Sequence, residues 1–414
     1  MAVAGAAVVV VLVVGHRGGG FGSGGKAAGS LTGASYEFAS ALVLQPDGRL
    51  VAAGCHCPPP RDNMDNSLVL SRYEVNGRLD DTFGSGGTAT AAIGGGASTW
   101  ALVRQPDGKL VAAASNGKGA RSRFALTRYG ADGRLDRSFG NGGTVTTAIG
   151  KGAGAESLIL QPDGKLVAAG HSSGGFALAR YDRSGRLDRS FGSDGTVTTE
   201  IGKHAVAQAL VLQPDGKLVA AGSSGASPHR MLALARYDRN GRLDPGFGNG
   251  GTVTTAIGTD AGAAALLLQP DGKLVAVGHG GRLNAFTFAL ARYDGNGHLD
   301  PSFGRGGTVT TKIGDGSGAA ALVLQPDGRL VAAGSAFFEP DLDDFALTRY
   351  GANGQLDPGF GNRGIVTTAI GKDAGAAALV LQPDGKLVAA GYRGDGRNFT
   401  FALARYDASG RLDR

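Results

Sequence analysis

The chain has 414 residues, of which 74 are Gly, 15 are Pro and 42% are apolar. That much apolar surface excludes a disordered polypeptide, and Gly spread through Val/Leu/Ala-rich sequence indicates many short strands joined by tight turns. The 41 basic and 35 acidic residues leave a formal charge of +6, but no Lys/Arg run of five and no basic arm exists, so no nucleic-acid partner is expected.

The chain opens on "MAVAGAAVVVVLVVG". The run from Ala2 to Val14 is too short to cross a bilayer as a helix, so no transmembrane span is expected. It has the length of a signal-peptide core, although no Lys or Arg precedes it and no A-x-A site follows. Residues 1–19 are read as a hydrophobic leader, an export signal with an atypical front, with a Val-rich buried strand as the alternative. Cys55 and Cys57 in "CHC" are read as two loop thiols. Residues two apart in an extended segment point to opposite faces, so bridging them would strain the bond, and two Cys with one His fall short of a zinc site.

A repeat dominates the rest. "QPDG" begins at Gln45, Gln105, Gln161, Gln213, Gln269, Gln325 and Gln382, a period of 52 to 60 residues, long enough for four short strands. In each unit the apolar stretch before Gln and the "LVAAG"-like stretch after Gly read as the two strands of a hairpin. Pro sets φ at the turn, Asp follows, and Gly takes the left-handed position. Both strands are apolar almost throughout, so both of their faces should be covered. A third strand follows at "FALARY", and the β-branched "GTVTT" suits an outer fourth strand. An alternative reading makes "GRLD" that strand. From the Phe of "FG" to the next Gln the spacing is constant at 22, so insertions lie between the hairpin and the next "RY".

The C-terminal unit stops at "GRLDR" without its "FG" and "GTVTT", while "GGFGSGGKAAG" near the N-terminus offers that missing piece first. Such an offset serves a closed ring, because the N-terminal strand completes the last unit and removes a free sheet edge. The reading is an all-β protein: residues 20–414 form one seven-bladed β-propeller of four-stranded antiparallel blades, expected to be monomeric. The combination of QPDG, RYD, LD and FG motifs from Phe21 to Arg414 resembles the delta-60 repeat family of bacterial β-propellers and, more distantly, NHL-type blades. That resemblance implies an exported or surface-associated protein with no assigned activity.

Residues present in every unit are read as scaffold. The Arg of "RY" and the Asp of "LD" are expected to pair within each blade, with the Arg stacked on the adjacent Tyr. What varies is the loop between second and third strands, and in a propeller all such loops share one face. Variable loops on a repeated scaffold are where binding is expected, here of a protein or glycan. Candidate ligand-binding residues on that face are His56, His171, His204, His229, His279, Arg282, Phe337, Phe338, Tyr392 and Arg393. His171 and His279 occupy equivalent positions, which admits a metal- or His-dependent hydrolase or lyase at the channel mouth as the alternative. A spacer role in a surface assembly is a third reading. No cofactor is required by the sequence; Glu339, Asp341, Asp343 and Asp344 supply hard oxygens that could hold Ca²⁺, without the Gly and spacing of an EF-hand. "RGD" at Arg393–Asp395 is a three-letter match in a Gly-rich loop, and no G-x-S-x-G, HExxH or P-loop occurs.

Overall fold

The computed structural model describes residues 21–29, 36–56, 67–93, 98–283, 285–339, 342–395 and 398–414. The hydrophobic leader, Cys57 and Asp341 lie outside them. The described residues form an all-β protein with a single 3₁₀ turn at Gly119–Arg121. None of its helices is long and apolar enough to cross a membrane.

After a short strand β1 (Lys26–Gly29), the chain lays down four strands per repeat. The first repeat holds β2 (Glu37–Leu44), β3 (Leu50–His56), β4 (Ser67–Tyr73) and β5 (Thr88–Ala91). The second holds β6 (Ser98–Arg104), β7 (Leu110–Asn116), β8 (Arg123–Tyr129) and β9 (Thr144–Thr147). The third holds β10 (Gly154–Leu160), β11 (Leu166–Ser172), β12 (Gly175–Tyr181) and β13 (Thr196–Thr199). The fourth holds β14 (Val206–Leu212), β15 (Leu218–Ser224), β16 (Met231–Tyr237) and β17 (Thr252–Thr255). The fifth holds β18 (Asp260–Leu268), β19 (Leu274–Arg282), β20 (Ala285–Tyr293) and β21 (Thr308–Thr311). The sixth holds β22 (Gly316–Leu324), β23 (Leu330–Phe338), β24 (Leu342–Tyr350) and β25 (Ile365–Thr368). Then come β26 (Asp373–Leu381), β27 (Leu387–Gly394) and β28 (Phe399–Tyr406).

The first five repeats are four-stranded antiparallel sheets. The remaining strands form an eight-stranded sheet, in which β24 and β26 meet at one parallel pair, Asp343 and Asp373. β1 pairs antiparallel with β28, so the N-terminal "KAAG" takes the place that "TVTT" holds elsewhere. "TVTT" is therefore the fourth strand; the "RLD" segment contributes only an isolated bridge, such as Tyr181 to Leu187.

The hairpin chemistry is visible at the last repeat. Gln382 N–H donates to the Lys386 carbonyl, Asp384 accepts from the Lys386 N–H, and Gly385 sits at φ 83°. A side chain there would meet the penalty that L-residues face in left-handed backbone. Burial follows the apolar pattern: β18 is buried from Asp260 to Leu267. The core lies between neighbouring sheets rather than inside any one of them. One cluster joins Leu42 and Leu50 of the first repeat to Leu379, Leu387 and Leu403 of the last. Each repeat's first strand packs against the first strands of the repeats before and after it, and β2 packs against β26.

Polar side chains tie repeat to repeat. In all seven repeats the Arg of "RY" meets the Asp of "LD", at 2.6 to 2.9 Å. The guanidinium stacks on the Phe of "FG", as Arg128 does on Phe139 at 4.5 Å, and not on the neighbouring Tyr. That Tyr is buried, and in the third to seventh repeats it reaches the preceding repeat instead, as Tyr237 Oη does in donating to Thr199 Oγ1 at 2.9 Å. Burial demands a partner for the phenol, and the last Thr of "TVTT" is the hydroxyl within reach. Each Arg also donates to a backbone carbonyl of the following repeat, as Arg180 does to Arg239 at 2.6 Å.

Candidate functional site

The loops between second and third strands meet the segments that lead into the next first strand. Ser173 N–H donates to Lys151, Gly225 N–H to Lys203, Asp315 N–H to Phe337 and Lys372 N–H to Gly394. The described variable loops of the second to seventh repeats therefore belong to the end of the sheets opposite the PDG hairpins. The hairpin end is occupied by repeated ion pairs, such as Lys165 with Asp188 at 2.9 Å and with Asp163 at 3.6 Å.

Those repeated carboxylates are committed to the scaffold. Burial works against the charged forms of Asp136 and Asp188. Hydrogen bonds from Ser138 and Ser190, then from Lys109 and Lys165, outweigh it and hold both well below the ordinary carboxylate range. For Asp300 the Ser302 hydroxyl is the largest influence in the same direction. All seven networks share the Arg–Asp pair, and in four of them a Ser or Thr hydroxyl joins it, so these carboxylates are committed at the hairpin end.

On the loop face three histidines each stand near a carboxylate of their own sheet. His171 Nδ1 lies 3.4 Å from Glu156 Oε1, within its own sheet. His279 Nε2 lies 3.8 Å from Asp260 Oδ1, and its ring meets Phe286 edge-on at 4.9 Å. Asp260 is fully buried and already accepts from Arg230 Nε and Ser227 Oγ, both at 2.8 Å. The proximity of Asp260 favours the imidazolium, but burial and the Arg230 charge win and bring His279 down to about 4. His56 Nδ1 stands 4.0 Å from Glu37 Oε1. His204 and His229 are exposed on the fourth repeat's loops. Among the described residues no group of three His, Cys, Asp or Glu side chains could hold a metal ion.

The acidic loop of the sixth repeat is divided. Glu339 is exposed, and its N–H donates to Asp315 Oδ2 at 3.0 Å. Asp343 and Asp344 are successive residues of β24 and leave opposite faces of the strand. Asp343 is buried at 8% exposure, and burial followed by the charges of Asp373 and Asp344 raises its carboxyl above the usual range. Phe337 is exposed, whereas Phe338 packs on the core between the fifth and sixth repeats. Arg282 and Arg393 are exposed, the latter with Nε 3.5 Å from Thr400 Oγ1.

One candidate, Tyr392, belongs to a cluster that the sequence reading missed. Its ring meets Phe38 at 5.3 Å and Phe399 at 5.6 Å. Phe38 and Phe399 stack at 5.3 Å, and Tyr36 lies 5.6 Å from Phe399. All four rings are partly exposed, and they join the last repeat to the first. Aligning the repeats on Gln supplies the missed signal: Phe38 stands where the third, fifth, sixth and seventh repeats have Gly154, Gly262, Gly318 and Gly375.

Six stretches of the chain match the model of a family described as a domain of unknown function (DUF5122) beta-propeller: residues 105–139, 161–191, 213–247, 269–303, 325–360 and 382–414. The chain is thus a β-propeller. The repeat around Gln45 lies outside those matches. No curated protein matches the sequence. Among solved structures it is similar to a Dyadobacter fermentans protein of unknown function, at 13% identity over 73% of this chain and 92% of that one, TM-score 0.41. Sqt1 from Chaetomium thermophilum is similar at 14% identity over 92% of this chain and 99% of that one, TM-score 0.46. The α-L-arabinofuranosidase Arb93A from Fusarium graminearum is similar at 12% identity over 92% and 96%, TM-score 0.45.

Proposed function

We propose that residues 20–414 close as a seven-bladed ring and act as a non-catalytic binding propeller, taking a protein or glycan on the variable-loop face. The seven-blade count treats β22–β25 and β26–β28 with β1 as two blades that touch at one residue pair. Closure is supported by β1 on β28 and by β2 against β26. The QPDG, RYD, LD and FG motifs support reading the chain in the manner of the delta-60 repeat proteins, and the hydrophobic stretch at residues 1–19 supports export to the cell surface or beyond.

One observation carries the functional reading: the Arg and Asp side chains common to all repeats are consumed by one another, while the insertions that distinguish the repeats fall in loops on a single face. Repeated Arg, Asp, Lys and Tyr side chains hold blade to blade, so mutating them acts on folding. The loops, carried on rigid strands, differ in length, charge and aromatic content.

The test is a screen of immobilised glycans and peptides against the full chain and a loop-exchange variant. In the variant, residues 279–287 and 335–344 are each replaced by the five-residue loop 171–175. The expected result is binding by the parent, loss of binding by the variant, and closely similar melting curves. Undiminished binding by a folded variant contradicts the assignment of the face.

A further inference from the structure

Two features mark the junctions of the seventh repeat with its neighbours, the first repeat on one side and the sixth on the other. One is the aromatic group of Tyr36, Phe38, Tyr392 and Phe399. The other is the meeting of Asp343 and Asp373, whose backbones pair directly where the sixth and seventh repeats touch.

Tyr392 links the two. Its ring lies over Gly375, where an added Cβ would come within 2.9 Å of both the ring and the hydroxyl. Asp373 is two residues before Gly375 on the same strand and therefore on the same face. Burial first, then the charges of Asp343 and Asp373, push the Tyr392 phenol up to about 12. Both carboxylates thus act on the edge of the aromatic group.

Neither carboxylate accepts a hydrogen bond or an ion pair from another described residue. Asp343 is more than nine-tenths buried as a residue, and no protein donor offsets the hydration its carboxylate gives up. Of the nearby basic side chains, Lys26 Nζ donates to the Ala369 carbonyl at 2.7 Å and acts on Asp344, on the other strand face, while Lys372 and Arg393 are exposed. The unmet need is a positive charge. A Ca²⁺ ion requires six to eight oxygens, which two carboxylates do not provide. An ammonium group on a carbon chain needs few oxygens and gains from ring faces.

We propose that this seam binds an organic ammonium group, held between the carboxylates of Asp343 and Asp373 and the rings of Tyr392, Phe38 and Phe399. The site rests on the reading that the loop face is the binding face, and names the chemistry it takes. The ammonium is either a free quaternary one or the side chain of a peptide lysine.

The experiment titrates the full chain calorimetrically with choline chloride, with the blocked peptide Gly-Lys-Gly and with CaCl₂. Saturation-transfer NMR on the unaltered protein reads contact between ring protons and the choline N-methyls. Saturable binding of choline alone assigns a small quaternary ammonium, and of the peptide alone a lysine side chain. Asp343→Asn, Asp373→Asn and Tyr392→Leu should each weaken binding about tenfold or more, while Glu200→Gln on the same face leaves it unchanged. Asp343→Asn keeps the side-chain shape and removes a buried charge, so its melting curve should not fall. Binding of CaCl₂ alone, no saturable binding of either ammonium probe, or equal affinity in the Asp343→Asn and Tyr392→Leu proteins overturns the site. Glycan or peptide capture that is lost on loop exchange, with no ammonium binding, overturns this site and leaves the loop-face reading standing.

Discussion

Arg405 of the last repeat donates from Nη1 to the Val75 carbonyl of the first, 2.7 Å away across 330 residues of sequence. The same bond joins Arg128 to Arg183 at 2.7 Å and Arg180 to Arg239 at 2.6 Å between consecutive repeats. Chain connectivity places those internal partners near each other, whereas the bond to Val75 joins the last repeat to the first, as the proposed closed ring requires. Arg405 also lies 4.8 Å over the Phe21 ring and 2.6 Å from Asp413, so the first and last described segments meet at one guanidinium.

If the seam is a blade junction like the others, Arg405→Met and Arg180→Met should destabilise alike. Each leaves a carboxylate without its main partner, a loss of about 3–5 kcal/mol for a buried pair. Chemical denaturation of the two variants provides the comparison. A much smaller loss at Arg405 would mean that the N-terminal segment contributes little to the fold.

Phe21 is fully buried, as Phe139 is, and both lie under an Arg. Phe21→Ala and Phe139→Ala should each cost about 3–5 kcal/mol. The same measurement on Tyr406→Phe and Tyr237→Phe, which each remove a buried phenol bonded to a Thr at 2.9 Å, should show about 1–2 kcal/mol.

Acid should act through the repeated aspartates. Asp136, Asp188 and Asp300 have folded-state values below the ordinary carboxylate range. Their contribution is therefore complete above the unfolded value of about 4 and is lost as pH falls through the lower folded values. Thermal melting followed against pH should be little changed by these groups between pH 7 and about 5, then fall steeply below about pH 4.

His279 adds a separate step. Its folded value is brought down to about 4, below the unfolded 6.5, chiefly by burial and then by Arg230. The unfolded chain thus takes up a proton first as pH falls, and stability is lost from about pH 6.5 to about 4, by about 3 kcal/mol in all. His279→Ser, the residue found at this position in the fourth and sixth repeats, should abolish the step. A variant with an unchanged profile would falsify the assignment to this imidazole.

The repeat was legible because its signals are local. QPDG states a hairpin within four residues, and the Arg and Asp of "RY" and "LD" are eight apart, close enough for their pairing to be read from the chain. The ring beneath the Arg was not legible in the same way. Tyr129 adjoins Arg128 in sequence, but strand geometry sends the two to opposite faces, and Phe139 lies under the guanidinium instead. The seam was hidden for a longer-range reason. Phe38 of the first repeat reaches Tyr392 of the last only across the seam, while Asp343 and Asp373 meet where the sixth and seventh repeats touch, and none carries a motif of its own. The histidines are the converse case: His171 and His279 match in position, yet each faces a carboxylate of its own sheet.

The most direct measurement concerns β1 and β28, where Ala28 stands opposite Ala402. Directly opposed residues of an antiparallel pair bring their Cβ atoms within about 5.5 Å, close enough for a disulfide with small adjustment. The double variant Ala28→Cys, Ala402→Cys, oxidised in the folded state and mapped by peptide mass, should yield a 28–402 linkage that is absent when oxidation follows unfolding. Two unlinked cysteines in a folded, oxidised sample would contradict the closed ring, and with it the seam on which the ammonium site depends.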